Sequence, residues 1–201
     1  MKKAAPYISY LLHPLIMPTL GLLIILNSGT YLSLLDPAAK RAIMFIMALG
    51  TLVFPLMMLP ILFYRKLVLR NGQNTTKEEQ RIPQFIVLVL YIITFIYFKK
   101  LPLSHVIHAY VLSVTGLLFI IMVLNLKFRV SINTAALGGL AGLIIALILL
   151  YETPLEGFLI LVLLAGGING SSRLALGDRW GEVLSGFLLG FGVVLGTILV
   201  Y

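Results

Sequence analysis

The C-terminal end of the chain reads LEGFLILVLLAGGI (155–168), NGSSRLALGDRWGE (169–182) and VLSGFLLGFGVVLGTILVY (183–201). Two apolar runs flank a segment that holds Arg173, Asp178, Arg179 and Glu182. Neither run alternates polar with apolar residues, so each reads as a helix rather than a strand. Charges placed next to such runs are costly in a bilayer unless they are paired, hydrated or used. The stretch therefore predicts two membrane helices joined by a polar segment that faces the membrane surface.

The rest of the chain extends the pattern. Further apolar runs cover Tyr7–Leu26, Ala42–Tyr64, Pro83–Phe98, His105–Leu124 and Thr134–Tyr151. With Leu155–Ile168 and Val183–Tyr201 they make seven. A spanning helix needs about 20 residues, in a range of roughly 17–25. The third and sixth runs reach that length only by borrowing flanking residues. The expectation is an all-α, polytopic integral membrane bundle of six or seven transmembrane helices, a single domain over residues 1–201 with N-terminal helices to 124 and C-terminal helices from 125. Of 201 residues, 60% are hydrophobic and 11% charged, against about 25% charged in a soluble domain. Lipid must be the solvent for much of this surface. An outer-membrane barrel is not expected, because its alternating segments and turn signals are missing.

The chain has no cysteine, which removes disulfides, thiol catalysis and thiolate metal sites. The basic opening before the first run imitates a signal peptide. That run is too long for one, so an uncleaved first helix is expected. With seven spans, eleven basic residues fall on the side of the N-terminus (Lys2, Lys3, Arg65, Lys66, Arg70, Lys77, Arg81, Lys127, Arg129, Arg173, Arg179). Four fall opposite: Lys40, Arg41, Lys99 and Lys100. The positive-inside rule then puts the N-terminus in the cytoplasm, and a bacterial inner membrane is the expected location. No soluble surface is available for nucleic acid, so the net charge of +8 is read as topology rather than DNA binding.

Several local features carry a structural and a functional reading. Pro14 and Pro18 in the first run, and Pro55 and Pro60 in the second, predict bent helices. His13 beside them reads as a polar residue facing the bundle or the interface. Thr76 and Glu79 form a capping-box pattern in the polar segment Arg65–Ile82. His105 and His108 share a helical face; without a third ligand they read as anchors, and no metal or cofactor is expected. Glycines at 138, 139, 142, 166, 167, 170, 186, 190, 192 and 196 let helices approach closely, within the bundle or in a larger complex.

Three polar clusters share the predicted N-terminal side: Lys77–Arg81, Lys127–Asn133 and Ser171–Glu182. Two spans separate the second from the third, so a helical hairpin can bring them together. Lys127, Arg129, Ser131, Asn133, Ser172, Arg173 and Arg179 supply cations and donors suited to a phosphate or lipid head group. Glu182 and Asp178 stand behind them as partners for the arginines.

The second and third clusters, with their two-helix spacing, resemble the type 2 phosphatidic acid phosphatase superfamily over roughly residues 125–195. That family carries Pro-Ser-Gly-His before one helix; here the stretch reads Val130-Ser131-Ile132-Asn133. Its other motif is Ser-Arg, five residues, His, three residues, Asp. Here Ser172-Arg173 is followed by Arg179 at the histidine position and by Glu182 one residue before the aspartate position. The resemblance implies a phosphatase-like C-terminal half and phosphate-holding roles for Ser131, Ser172 and Arg173. It also implies that both catalytic histidines are replaced. A guanidinium cannot attack phosphorus, and an amide cannot act as general acid. The expectation is a non-catalytic, pseudoenzyme-like membrane protein that binds membrane lipids or serves as a subunit of a membrane complex. The alternatives are a divergent lipid phosphatase or phosphotransferase using Asp178, and a transporter, for which charges inside the spans are wanting.

Overall fold

The structure, a computed structural model, describes residues 13–58 and 81–201. Among them every regular element is helical. Helix α1 spans Met17–Asn27, and a 3-10 turn follows at Tyr31–Leu34. Helix α2 begins as Pro37–Ala48 and continues to Met58 through a π turn at Leu49–Val53. Then come α3 (Arg81–Lys99), α4 (His105–Leu124), α5 (Ile132–Tyr151), α6 (Glu156–Ala175) and α7 (Trp180–Val200). Five of these (α2, α4, α5, α6 and α7) are long and apolar enough to cross a membrane. Helix α1 and the Pro83–Lys99 part of α3 are shorter and apolar. The start of the first run, the end of the second with Pro60, Lys77 and the Thr76–Glu79 pattern lie outside the described residues.

Backbone chemistry explains the boundaries. Asp36 caps α2, its carboxylate accepting from the N–H groups of Ala38 (2.9 Å) and Ala39 (3.3 Å), with Pro37 in the first turn. Proline fits there because the first-turn N–H has no helical partner. Pro18 likewise lies in the first turn, as the second residue of α1, so it belongs to the start of that helix rather than bending its middle. Pro55 does sit inside a helix. It can give no N–H to the Thr51 carbonyl, and its ring would crowd that carbonyl. The π turn just before it widens the helix, and the Tyr91 hydroxyl of α3 lies 3.5 Å from the freed Thr51 oxygen.

The sixth run is short in sequence, but its helix is not. Helix α6 continues through Asn169–Ala175 for 20 residues in all. Ser171 and Ser172 donate back to the carbonyls of Gly167 (2.8 Å) and Ile168 (2.9 Å). Such i−4 bonds hide hydroxyls within the helix itself, which lets a polar turn continue an apolar helix.

Helix α5 is the most buried of the long helices, with Ala135, Leu143, Ile144, Ala146 and Leu147 fully enclosed. Its closest partner is α7. A Cβ on Gly138 would collide with the Phe187 carbonyl, one on Gly190 with the Ala135 carbonyl, and one on Gly142 would lie 2.6 Å from the Phe191 oxygen. The two backbones touch directly, as small-residue spacing allows in lipid. The outer faces present Phe45, Leu161, Leu164 and Leu188, as expected where hydrocarbon is the solvent.

The contacts define two ends. At one, Tyr31 meets Tyr151 edge-on (ring centroids 6.0 Å apart) and His105 meets Tyr201 (6.3 Å). His108 Nε2 lies 3.0 Å from the Phe98 carbonyl there. The two histidines thus have separate structural partners. At the other end gather residue 13, the start of α3, the α4–α5 connection and the α6–α7 connection.

Candidate functional site

The α6–α7 connection is set by a glycine. Gly177 has φ of +107°, in the region that side chains avoid. The Asp178 N–H reaches back to the Arg173 carbonyl and the Gly177 N–H to the Leu174 carbonyl, each at 3.1 Å. This pair of bonds is a Schellman motif, with Gly177 as the residue that turns the chain. The turn folds Asp178 back over the last turn of α6. There its carboxylate accepts from Arg173 Nε at 2.7 Å. Gly177→Ala should lower the apparent melting temperature in detergent by an amount equal to about 1 kcal/mol. Gly181→Ala, at an exposed site with open space around it, should not.

The α4–α5 connection is set by an amide. Asn125 Oδ1 accepts from the Val130 N–H at 2.7 Å and closes the Asn125–Val130 loop. The Ser131 N–H then bonds to the Glu182 carbonyl at 3.1 Å. That bond ties the start of α5 to the start of α7 and brings the two clusters together.

A polar pocket of about 550 Å³ lies between them. Arg129, Ser131 and Asn133 line it from one side, and Arg173, Asp178 and Glu182 from the other. Gln84, Met122 and Asn125 complete the wall. Ser131 is buried, and its Oγ has no hydrogen-bond partner among the described residues. A buried hydroxyl without a partner carries a desolvation cost of about 1–3 kcal/mol, which a ligand would relieve.

Three expected site residues lie elsewhere. Lys127 and Arg179 are exposed and do not line the pocket. The Ser172 hydroxyl is spent on the Ile168 carbonyl. Arg179 contributes its backbone, whose N–H donates to Glu182 Oε2 at 3.4 Å in the first turn of α7. Gln84 and Asn125 are members that sequence reading misses. Asn125 had one signal, an amide ending a long apolar run. The described lining is also less cationic than the sequence clusters, since Arg129 and Arg173 are matched by Asp178 and Glu182.

A second cavity, of about 270 Å³, opens between α1, α3, α4, α5 and α7. Its wall is mostly apolar, with Pro14, Pro18, Val87, Val114, Leu118 and Leu140. His13 and Tyr91 also line it. His13 therefore faces the bundle, and its Nδ1 accepts from the Leu15 N–H at 3.3 Å. The Tyr110 hydroxyl donates to the carbonyls of Pro18 (3.1 Å) and Met17 (3.3 Å), fixing α1 against α4 at the cavity floor. Gln84, Ile132 and Asn133 belong to both cavities, so the polar pocket and the apolar cleft adjoin. Among the described residues no group of three or more metal-ligating side chains occurs.

No family model, no curated protein and no solved structure matches this chain.

Proposed function

We propose that this chain is a non-catalytic integral membrane protein that holds the head group of a membrane lipid in the pocket between the α4–α5 and α6–α7 connections. In this reading the helices make six or seven spans, and the eleven-to-four distribution of basic residues sets the N-terminus in the cytoplasm of a bacterial inner membrane. The observation that carries it is the meeting of Arg129, Ser131 and Asn133 with Arg173 around one pocket. A guanidinium, a hydroxyl unpartnered among the described residues and an amide at a helix end are the donors that a phosphodiester needs.

The resemblance to phosphatidic acid phosphatases agrees with this placement, while its chemistry does not carry over. No histidine is among the described residues lining the polar pocket, and Asp178 is engaged by Arg173. The test is purification from native membrane in mild detergent, with mass spectrometry of co-purifying lipids and proteins. Phospholipid should be retained by the parent, and Arg129→Ala should lower its retention about tenfold, the loss of one charge-assisted contact. Equal retention by the variant would sink the head-group reading. Phosphate release from phosphatidic acid that disappears in Asp178→Asn would sink the non-catalytic one.

A second reading, a subunit of a larger membrane complex, is favoured by Gly192 and Gly196 of α7. Around these glycines an added Cβ would meet open space. Stoichiometric partner proteins in the same purification would support it.

A further inference from the structure

Among the described residues the polar pocket has an adjoining apolar cleft and a balanced set of charges, and both facts narrow the ligand. We propose that the ligand is a phospholipid with a zwitterionic, primary-ammonium head group, its phosphate held by Arg129 and Ser131, its ammonium by Glu182, and one acyl chain in the cleft. This inference rests on the head-group reading above and goes beyond it to the class of lipid.

A pocket built for a phosphate alone would present cations without carboxylates, because a carboxylate on the wall repels the ligand. Here Asp178 and Glu182 line the same wall as Arg129 and Arg173. Arg173 and Asp178 answer each other at 2.7 Å. Among the described residues Arg129 and Glu182 then present one charge of each sign from opposite sides of the pocket. A head group with a phosphate and an ammonium matches both, whereas a head group with only a negative charge leaves Glu182 facing its own sign. The Ser131 Oγ, buried and unpartnered among the described residues, adds a donor at the same wall.

The shape of the two cavities points the same way, independently of charge. The cleft is apolar and meets the polar pocket at Gln84, Ile132 and Asn133. An amphiphile has the same two parts joined at one point. Free phosphate or a soluble phosphoethanolamine would use the pocket and leave the cleft empty. Burial of the chain contributes affinity in proportion to the methylenes removed from water.

The experiment uses the full chain, purified and delipidated in detergent. Thermal stabilisation and native mass spectrometry are read with phosphatidylethanolamine, phosphatidylglycerol, phosphatidic acid and soluble glycerophosphoethanolamine. Phosphatidylethanolamine should bind about tenfold more tightly than phosphatidylglycerol, and Glu182→Gln should abolish that preference while phosphatidylglycerol binding persists. Leu118→Trp, which fills the cleft, should weaken every lipid. The soluble head group should compete poorly. Equal or tighter binding of phosphatidylglycerol or phosphatidic acid by the parent would overturn the zwitterionic assignment and leave the head-group reading standing. Effective competition by glycerophosphoethanolamine would overturn the acyl-chain placement. Binding of no lipid, or binding indifferent to Arg129→Ala, would overturn the head-group reading itself. Arg129 and Leu118 are exposed or half-buried, so both variants should fold, and circular dichroism checks that they do.

Discussion

Gly190→Ala should be among the most damaging single-methyl changes in this protein. A Cβ at position 190 would run into the Ala135 carbonyl and come within 2.9 Å of the Gly139 nitrogen. Both are backbone atoms, so no side chain can swing aside. The helices α5 and α7 must separate, and separation loosens the contacts on both sides of Gly190. Overpacking of a fixed core costs about 1–3 kcal/mol, and a backbone-to-backbone clash belongs at the upper end. The measurement is the midpoint of thermal aggregation in mild detergent, with Gly192→Ala as the partner variant. The two substitutions add the same methyl to the same helix. At Gly192 the space is open, so the midpoint there should hold or rise slightly, as helix propensity favours alanine. Equal losses at both positions would mean that the α5–α7 seam does not have this geometry.

The second large effect has the opposite sign. Asn169 on α6 is completely buried, and neither its Nδ2 nor its Oδ1 has a partner among the described residues. A buried amide left unpaired costs more than it returns, by about 1–3 kcal/mol on mutational scales. Leucine has the same branched outline and no polar atom. Asn169→Leu should therefore stabilise the protein by about 1–2 kcal/mol, after allowance for its slightly greater bulk. A raised unfolding midpoint checks this. A fall of similar size would show that the amide is hydrogen-bonded in the membrane, for example through a trapped water, and is worth its place. The residue lies one turn before Arg173, so lipid retention should be measured on the same variant.

Much of the architecture is legible in hydropathy, because every apolar run carries a helix wherever the residues are described. The places where the pattern falters have local causes. Helix α6 outlasts its apolar run because Ser171 and Ser172 satisfy themselves against carbonyls one turn back. Pro18 looks like a kink in sequence but is a helix start. The site divides in the same way. An even number of helices between two clusters returns them to one end, and that arithmetic was available beforehand. Which residues face the pocket was not. Neighbours on a helix differ by about 100° in direction, so Arg173 lines the pocket while Ser172 turns into its own helix. That acids would partner the arginines was legible; the turn that delivers one of them was not. Asp178 reaches Arg173 only because Gly177 adopts a positive φ, and a single glycine does not announce its conformation. Asn125 signals only by ending a long apolar run, and Gln84, a lone amide in the first turn of α3, carries no pattern at all.

The seam between α5 and α7 also bears on how the chain is made. The two helices that fit most closely are not neighbours in sequence, because α6 lies between them. During synthesis α5 enters the membrane with Gly138 and Gly142 uncovered, and it must wait through α6 and the Gly177 turn for its partner. A helix waiting with a smooth glycine face is open to the wrong neighbour, whether another nascent helix or a second copy of the chain. The order of assembly therefore delays the most demanding fit until after α6, so that chains stalled before residue 180 would expose the surface most prone to mispairing.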